Sequence, residues 1–261
     1  MKDWRQGTVI SKSKINTVLQ GDCLELMKDI ADGSVDMILA DLPYGTTNCK
    51  WDTIIPFEPL WEQYKRAIKP NGAIVLTASQ PFTSALVMSN PKMFKYEWIW
   101  DKKTGLGFLD AKYRPLKSHE NILVFGNCGV SNGSKIPMKY NPQGVIASEK
   151  TKKNNVKYEG LHSNPSKAEY KETGTNYPKS IQTFSKDRGL HPTQKPVALF
   201  EYLIKTYTNE GDLVLDNVAG SGTTGVAAMN LNRNFILMEQ EPEYVEIIKQ
   251  RLAGHDVTPI W

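Results

Sequence analysis

The chain has 261 residues, of which 40% are hydrophobic and 23% charged, and a formal net charge of +4. This length allows one large domain, or one domain with an insertion, and the composition is that of an ordinary globular protein. No apolar run approaches the ~20 residues that span a membrane, and the polar N-terminal stretch lacks the apolar core of a secretory signal. We therefore expect a cytoplasmic protein.

The cysteines agree with that location. Cys23, Cys49 and Cys128 are scattered and never form a Cys-x-x-Cys pair. This usage fits a reducing cytosol and argues against a structural zinc site, so no metal is predicted.

Apolar strands and amphipathic helices alternate through the first 126 residues. Strands are predicted at 17–20, 36–40, 73–77, 96–100 and 121–125, and helices at 24–30, 57–69 and 80–89. The second of these helices should end at the turn residues Pro70-Asn71-Gly72. The alternation indicates an α/β fold with a largely parallel sheet.

The strand at 36–40 runs into Asp41-Leu42-Pro43-Tyr44-Gly45. The carboxyl end of a strand is where ligands bind in open α/β sheets. An acidic acceptor, a carbonyl held before a rigid proline and an aromatic face together suit a flat group that carries an NH2, such as a nucleobase. An ordinary Asp-x-Pro turn is an equally good interpretation of this stretch alone.

The composition changes from Asn127 to Leu190. Apolar periodicity disappears, and eleven basic residues oppose five acids, a net charge of +6 that exceeds the charge of the whole chain. Aromatic residues at 140, 158, 170, 177 and 184 are interleaved with the lysines. This segment suits phosphate contacts and base stacking, although a solvated lysine-rich loop without a partner has the same composition.

Regular structure should resume at His191-Pro192-Thr193-Gln194-Lys195-Pro196, with Pro196 in the first turn of a helix. Strands are predicted at 212–216 and 235–238, and a last helix at 242–252.

A glycine-rich loop follows the strand that ends in Asp216. Gly220-Ser221-Gly222-Thr223-Thr224-Gly225 matches the dinucleotide fingerprint, and Glu239 ends the next strand, where it can accept from ribose hydroxyls. NAD and S-adenosylmethionine are both compatible ligands, and a purely structural turn is a third interpretation. Asp216 suits a cationic ligand better than a pyrophosphate. Because only one strand follows the loop strand, the remaining strands of the sheet must come from the N-terminal half.

The order of the motifs is specific. Asp41-Leu42-Pro43-Tyr44, a basic segment, His191-Pro192-Thr193-Gln194-Lys195-Pro196 and then Ala219-Gly220-Ser221-Gly222-Thr223-Thr224 together resemble the β-class amino-methyltransferases of DNA. The resemblance implies a seven-stranded, mostly parallel, Rossmann-like methyltransferase sheet that is circularly permuted. It also implies a catalytic half at 1–126, an inserted target recognition region at 127–190 and a cofactor-binding half at 191–261.

The resemblance also implies roles for individual residues. The expected catalytic residues are Asp41, Leu42, Pro43 and Tyr44. The expected ligands of S-adenosylmethionine are Asp22, Cys23, Asp41, His191, Thr193, Lys195, Asp216, Val218, Ala219, Gly220, Ser221, Gly222, Thr223, Glu239 and Gln240. For His119-Glu120 a structural role before the strand is favoured over a catalytic one.

Two positions depart from the family pattern. Leu42 stands where the family commonly has proline, and its carbonyl can still accept a hydrogen bond. Val218 stands where the family often has a phenylalanine that packs against the cofactor, so the affinity for the cofactor is expected to be lower. The acidic first residue of the motif resembles adenine-N6 members more than cytosine-N4 members.

The predicted function is therefore methylation of adenine N6 in double-stranded DNA, on a base that has left the duplex. Cytosine-N4 methylation and RNA methylation are rival activities, and a NAD-dependent oxidoreductase or a non-catalytic DNA-binding module are rivals from other classes. A homodimer and a restriction endonuclease partner are compatible with the resemblance.

Overall fold

The computed structural model describes residues 15–46, 52–153, 169–171, 173–186 and 194–254, with no side-chain detail for 151–153 and 169–171. The helices within these residues are α1 Cys23–Met27, α2 Phe57–Ala67, α3 Phe82–Ser89, α4 Val197–Tyr207, α5 Thr223–Asn230 and α6 Pro242–Ala253. The strands are β1 Thr17–Gln20, β2 Val35–Ala40, β3 Ile68–Ala78, β4 Phe94–Leu106, β5 Lys117–Phe125, β6 Ile146–Ala147, β7 Thr151–Lys153, β8 Glu169–Lys171, β9 Gly174–Thr175, β10 Ile181–Thr183, β11 Leu213–Asp216 and β12 Asn234–Glu239.

The main sheet has the strand order β1-β12-β11-β2-β3-β5-β4-β10 within the described residues. Five of its seven strand pairings are parallel, and β5 is antiparallel to both of its neighbours. The prediction of a largely parallel sheet is confirmed.

The central strands are continuous apolar runs in the sequence because both of their faces are buried. Along β2, Ile38 and Ala40 pack into one apolar cluster, whereas Met37 and Leu39 pack into another on the opposite face. Side chains of a strand alternate between faces, so a strand covered on both faces is a continuous apolar run. Helices α1, α2 and α3 contribute to the first cluster, and α4, α5 and α6 to the second.

The number of strands differs from the prediction. The sheet has eight strands rather than seven, because β10 adds in parallel to the outer edge of β4. Residues 127–190 also contain the short strands β6 to β9, where no regular structure was predicted. Strands of two or three residues are too short for apolar alternation to show in the sequence.

The predicted turn at Pro70-Asn71-Gly72 is also wrong. Helix α2 ends earlier, at Ala67, and β3 already begins at Ile68. The register between β2 and β3 passes from Val35–Ile68 to Met37–Ala73, so the turn residues form an irregularity inside the strand. Bulges accommodate such extra residues without ending the pairing.

The strand order places a reversal between β11 and β2, the two adjacent strands at the centre. From β11 the sheet continues to β12 and β1, and from β2 it continues to β3 and β5. Such a reversal leaves a crevice at the carboxyl ends of the two strands, where ligands bind. Asp41 directly follows β2, and Asp216 ends β11.

The opposite end of these strands is held by a buried charge cluster. Asp36 is 5% exposed and accepts hydrogen bonds from Lys69 Nζ at 2.7 Å, Lys139 Nζ at 3.1 Å and the Leu213 amide at 3.1 Å. Burial raises the pKa of Asp36, but the bonds from Lys69, Leu213 and Lys139 outweigh it and leave the pKa below the ordinary value. The cluster ties β2, β11 and the segment after β5 together.

Asp36→Ala is therefore expected to lower the free energy of unfolding by about 2 kcal/mol, because it removes the carboxylate that Lys69 and Lys139 share and leaves the buried Leu213 amide without its acceptor. The pKa of Asp36 is depressed on folding, so its contribution is present above pH 4 and is lost as the pH falls through the folded-state pKa. Urea denaturation at pH 7 and at pH 3 measures both effects. Glu25→Ala, which removes an exposed ion pair with Lys28, is the control and should change stability by less than about 0.5 kcal/mol. Equal effects of the two substitutions would contradict the prediction.

Residues Pro142–Lys179 form a separate compact unit. Its described part contains two antiparallel pairs, β6 with β9 and β7 with β8. Asn176 has a positive φ of 60° and donates from Nδ2 to the Gly144 carbonyl at 2.8 Å, which closes the base of the first pair.

Among the described residues, no helix has the length and apolarity that a membrane crossing requires.

Candidate active site

A cavity of about 770 Å³ opens at the carboxyl ends of β2 and β11. It contains most of the residues that the sequence singled out. The ones that line it are Asp22, Cys23, Asp41, Leu42, Pro43, Tyr44, Lys195, Asp216, Val218, Ala219, Gly220, Ser221, Thr223, Glu239 and Gln240. Gly222 lies in the same loop without lining the cavity, and His191 and Thr193 lie outside the described residues.

The carboxylate of Asp41 is held on both oxygens. Its Oδ1 accepts from the Tyr44 hydroxyl at 2.7 Å and from the Thr77 hydroxyl, and its Oδ2 accepts from Lys195 Nζ at 2.5 Å. A carboxylate offers about four acceptor positions. Three donors therefore fix the orientation of Asp41 and leave an acceptor position for a ligand.

Lys195 is the cation that contacts Asp41, and it is 7% exposed. Its ammonium also lies 3.4 Å from Oε2 of Glu120 and 5.7 Å from the centre of the Tyr44 ring. Burial alone lowers the pKa of Lys195, but the charges of Asp41 and Glu120 outweigh it and raise the pKa above the ordinary value. The side chain is thus a permanent positive charge between two carboxylates.

Glu120 is a cavity residue, although its sequence context favours a structural role. Its Oε1 accepts from Lys102 Nζ, and its Oε2 has no hydrogen-bond partner of normal geometry among the described residues. Strand β5 runs antiparallel to β3, with Asn121 opposite Ala78, so the start of β5 lies at the ligand-binding edge of the sheet. To predict Glu120 in the site, one would have to know that β5 runs antiparallel to β3. An apolar run predicts a strand but not the direction in which the strand runs.

Tyr44 is held as firmly as Asp41. Its ring stacks on Phe82 with a centroid distance of 5.2 Å and an interplanar angle of 26°, and its hydroxyl bonds Asp41. Burial, together with the negative charges of Asp41 and Glu120, raises the pKa of Tyr44 well above its ordinary value. The phenol therefore stays protonated and donates to the carboxylate.

The glycine loop has the geometry that its sequence predicts. Gly222 has a φ of +82°, which favours glycine, and a Cβ at Gly225 would lie only 2.7 Å from Leu237 on β12. Glycine therefore allows the turn at one position and the close packing of α5 on the sheet at the other.

Two carboxylates face this loop. Thr224 donates its hydroxyl to Asp216 Oδ2, and the Val218 amide donates to Oδ1 at 3.1 Å. Burial nevertheless raises the pKa of Asp216 to about 7. Glu239 accepts from the Gly220 amide at 2.8 Å and from the Glu241 amide at 2.9 Å, while burial raises its pKa. Burial disfavours the ionised forms of these acids, and a cationic ligand that binds beside them would stabilise those forms.

The cavity is also lined by a polar residue, Asn217, that the sequence did not single out. The Tyr64 hydroxyl donates to Asn217 Oδ1 at 2.6 Å, and both residues are buried. Asp22 lines the cavity and also caps α1, since its Oδ1 accepts from the amides of Leu24 at 2.8 Å and Glu25 at 3.2 Å. These bonds fix the floor before any ligand enters.

No cluster of three or more potential metal ligands (His, Cys, Asp or Glu) occurs in the described part of the chain.

The glycine loop and the Asp-Leu-Pro-Tyr motif thus lie at the ends of adjacent strands and line one cavity. The chain belongs to the DNA methylase family, whose sequence profile matches residues 35–250.

Individual relatives are similar along nearly the whole chain. The type II methyltransferase M2.MboI of Moraxella bovis is 29% identical over 96% of this chain and 91% of its own length. The DNA adenine methyltransferase YhdJ of Escherichia coli K12 is 28% identical over 93% of this chain and 85% of its own. A crystal structure of the M1.HpyAVI–SAM complex superposes with a TM-score of 0.60 at 27% identity and covers 90% of this chain and 98% of that one.

Proposed function

We propose that this DNA methylase transfers the methyl group of S-adenosylmethionine to N6 of an adenine that has left the DNA duplex. The observation that carries the proposal is the juxtaposition of Asp41, with a free acceptor position, and the glycine loop in one cavity. The names of YhdJ and of the M1.HpyAVI–SAM complex support the adenine and the cofactor respectively.

The residues around the glycine loop fit this cofactor. Asp216 offers a negative charge for a cationic amino acid group, Glu239 an acceptor for ribose hydroxyls, and Asp22 an acceptor beside the adenine. Val218 lines the cavity where the family often has a larger phenylalanine, so affinity should depend more strongly on these polar groups. When bound, the cofactor supplies an electrophilic methyl group on a positively charged sulfur.

Asp216 should make cofactor binding depend on pH. Its pKa is about 7 in the free protein, and a cationic ligand favours the ionised form, so the association constant should rise up to tenfold per pH unit below pH 7 and level off above it. By the same linkage, the stability of the cofactor-free fold should fall as the pH rises from about 4 to about 7 and level off above pH 7, because the folded-state pKa lies above the unfolded value of about 3.9. Calorimetric titration with S-adenosylmethionine between pH 6 and 8.5 measures the first effect.

Asp216→Asn is the matched control, since it keeps the shape and removes the titrating group. Its binding should be weaker than that of the wild type and should lose the rise between pH 6 and 7. An unchanged slope in this variant would assign the pH dependence to another group.

The chain's own residues prepare the target amino group. Conjugation with the ring makes N6 a weak nucleophile, and hydrogen bonds to Asp41 and to the Leu42 carbonyl direct its lone pair towards the methyl group. Positioning of this kind accounts for much of the acceleration of a bimolecular transfer. Tyr44 contributes its ring to the stacking of the base and its hydroxyl to the orientation of Asp41.

The methylated nitrogen is strongly acidic and must lose a proton. Asp41 accepts it or passes it to water, and Lys195 remains protonated throughout because its pKa is raised. The reaction therefore needs neither a histidine base nor a covalent cysteine.

We assign residues 127–190 to target recognition, with 1–126 and 191–261 as the catalytic and cofactor halves of a circularly permuted domain in the cytoplasm. The net charge of +6 and the interleaved aromatic residues support this assignment. The compact unit Pro142–Lys179 falls within the segment.

The test is incubation of unmodified genomic DNA with S-adenosylmethionine labelled in the methyl group, followed by nucleoside analysis. N6-methyladenine is expected. N4-methylcytosine would contradict the choice of base while retaining the chemistry, and label in RNA alone would contradict the choice of DNA.

A further inference from the structure

The β4–β5 hairpin ends in an exposed apolar surface. We call residues 103–117 the hairpin tip. Phe108 is 82% exposed, Leu109 96% and Tyr113 88%, and Leu106 and Leu116 are also exposed. Several large apolar side chains exposed within a single short segment are characteristic of interaction sites.

The same tip is cationic. Lys103, Lys112, Arg114 and Lys117 oppose one acid, Asp110, for a net charge of +3. Asp110 forms an ion pair with Arg114. Its negative charge therefore balances Arg114 rather than Lys103 or Lys112. A nucleic acid duplex has negatively charged phosphates outside and stacked aromatic bases inside. An apolar tip surrounded by positive charge is complementary to both.

The position of the tip relates it to the reaction. Leu106 pairs with Lys117 across the hairpin, and both residues line the cavity that contains Asp41. Lys117 Nζ also donates to the Ser79 hydroxyl, just beyond the end of β3. The apolar tip therefore begins at the wall of the cavity that receives the target base.

We propose that the hairpin tip is a wedge that enters the DNA duplex beside the target base and stabilises the gap that the base leaves. Phe108 and Leu109 enter the stack, and Lys103, Lys112 and Arg114 contact the flanking phosphates. The inference rests on the proposed function, since it concerns the same duplex and the same extruded base.

DNA fits the tip better than a second copy of the chain does. A two-fold contact would place one tip of charge +3 against another, and like charges in close contact oppose association. A phosphate backbone instead neutralises these charges and releases counterions.

A wedge predicts a difference between two substrates. Both carry the recognition sequence, obtained by sequencing methylated genomic DNA, but in one the target adenine faces its thymine and in the other an abasic site. Unpairing is part of the barrier only in the first. The double variant Phe108→Ala/Leu109→Ala should lose 10- to 100-fold in kcat/KM on the paired duplex and less than threefold on the abasic duplex.

Two further variants make the result specific. Met88→Ala removes an apolar side chain that is 72% exposed on α3 outside the cavity, and it should be neutral on both substrates. The variant Lys103→Gln/Lys112→Gln should weaken binding of both duplexes alike and reduce the slope of log K against log salt by about one for each phosphate that is no longer neutralised.

Equal losses of the apolar double variant on both substrates, or no loss on either, would overturn the wedge. So would a change from dimer to monomer in sedimentation that accounts for the lost activity, since the tip would then bind a second copy. If the wild-type protein methylates no DNA, the proposed function fails instead, and that result is separate because it does not involve the variants.

Discussion

Asp41→Ala is expected to reduce methyl transfer by about 10³-fold or more while the dissociation constant of S-adenosylmethionine changes only slightly. Asp41 is the acceptor that directs the amino group, and removing one preorganised electrostatic contact of this kind costs about 10²- to 10³-fold in comparable enzymes. The loss should be larger here, because the side chain both orients the nitrogen and receives its proton. Single-turnover transfer to DNA, measured beside calorimetric binding of the cofactor, separates the two effects.

The same substitution disturbs the fold in a measurable way. Without Asp41, Glu120 at 3.4 Å is the one counter-charge left to the buried Lys195 among the residues that the structure describes, and the hydroxyls of Tyr44 and Thr77 lose their bond to Asp41. A variant of lower stability is expected, so activity must be compared well below its melting temperature. Asp41→Asn, which keeps the shape and one acceptor oxygen, should fold better and still transfer slowly. Turnover of the alanine variant within tenfold of wild type would remove Asp41 from the mechanism.

The sequence predicts the elements that are determined locally. The strand before Asp41 and the strand before the glycine loop are continuous apolar runs because helices cover both faces of the sheet, and the motifs after them have a fixed spacing. Their meeting in space then follows from the rule that ligands bind at the carboxyl ends of adjacent parallel strands. For this reason the candidate residues from the two halves could be assigned to one site from the sequence.

Long-range pairings were beyond the sequence. Lys195 meets Asp41 across 154 positions, and the resemblance had suggested only that Lys195 lies on the cofactor side. Glu120 enters the site through the antiparallel direction of β5, and β10 adds to the sheet as three residues without an apolar pattern. These features depend on tertiary packing, which one-dimensional periodicity does not contain.

The exposed hairpin tip has a similar origin. The strands predicted at 96–100 and 121–125 left Phe108, Leu109 and Tyr113 without an assigned element or a predicted exposure. Only the structure shows that the β4–β5 pairing ends before them and leaves them in solvent. The exposure of these apolar side chains, which indicates an interaction site, can therefore be read only from the structure.

The two positions suggested for Lys195 lead to opposite expectations for a Lys195→Met variant. If its ammonium serves Asp41, the variant should lose about 10²- to 10³-fold in kcat with little change in cofactor affinity, because Asp41 then faces Glu120 without the cation that holds both. If the ammonium serves the cofactor, affinity should fall and kcat should be retained. The observed contacts favour the first outcome, which steady-state kinetics with separate titrations of cofactor and DNA will measure.

Glu120 supplies a rescue test for the same residue. In Lys195→Met the two carboxylates lose the cation between them, and Lys102 still pairs with Glu120 but not with Asp41. Neutralising Glu120 with Glu120→Gln should therefore recover part of the lost kcat, although Glu120→Gln alone, which removes the carboxylate partner of Lys102, slows the wild-type enzyme. A coupling of this sign between the two substitutions requires that they act through the same charge network around Asp41. Strictly additive losses would mean that Lys195 and Glu120 act independently, and Lys195 would then be a cofactor ligand rather than the residue that positions the catalytic acid.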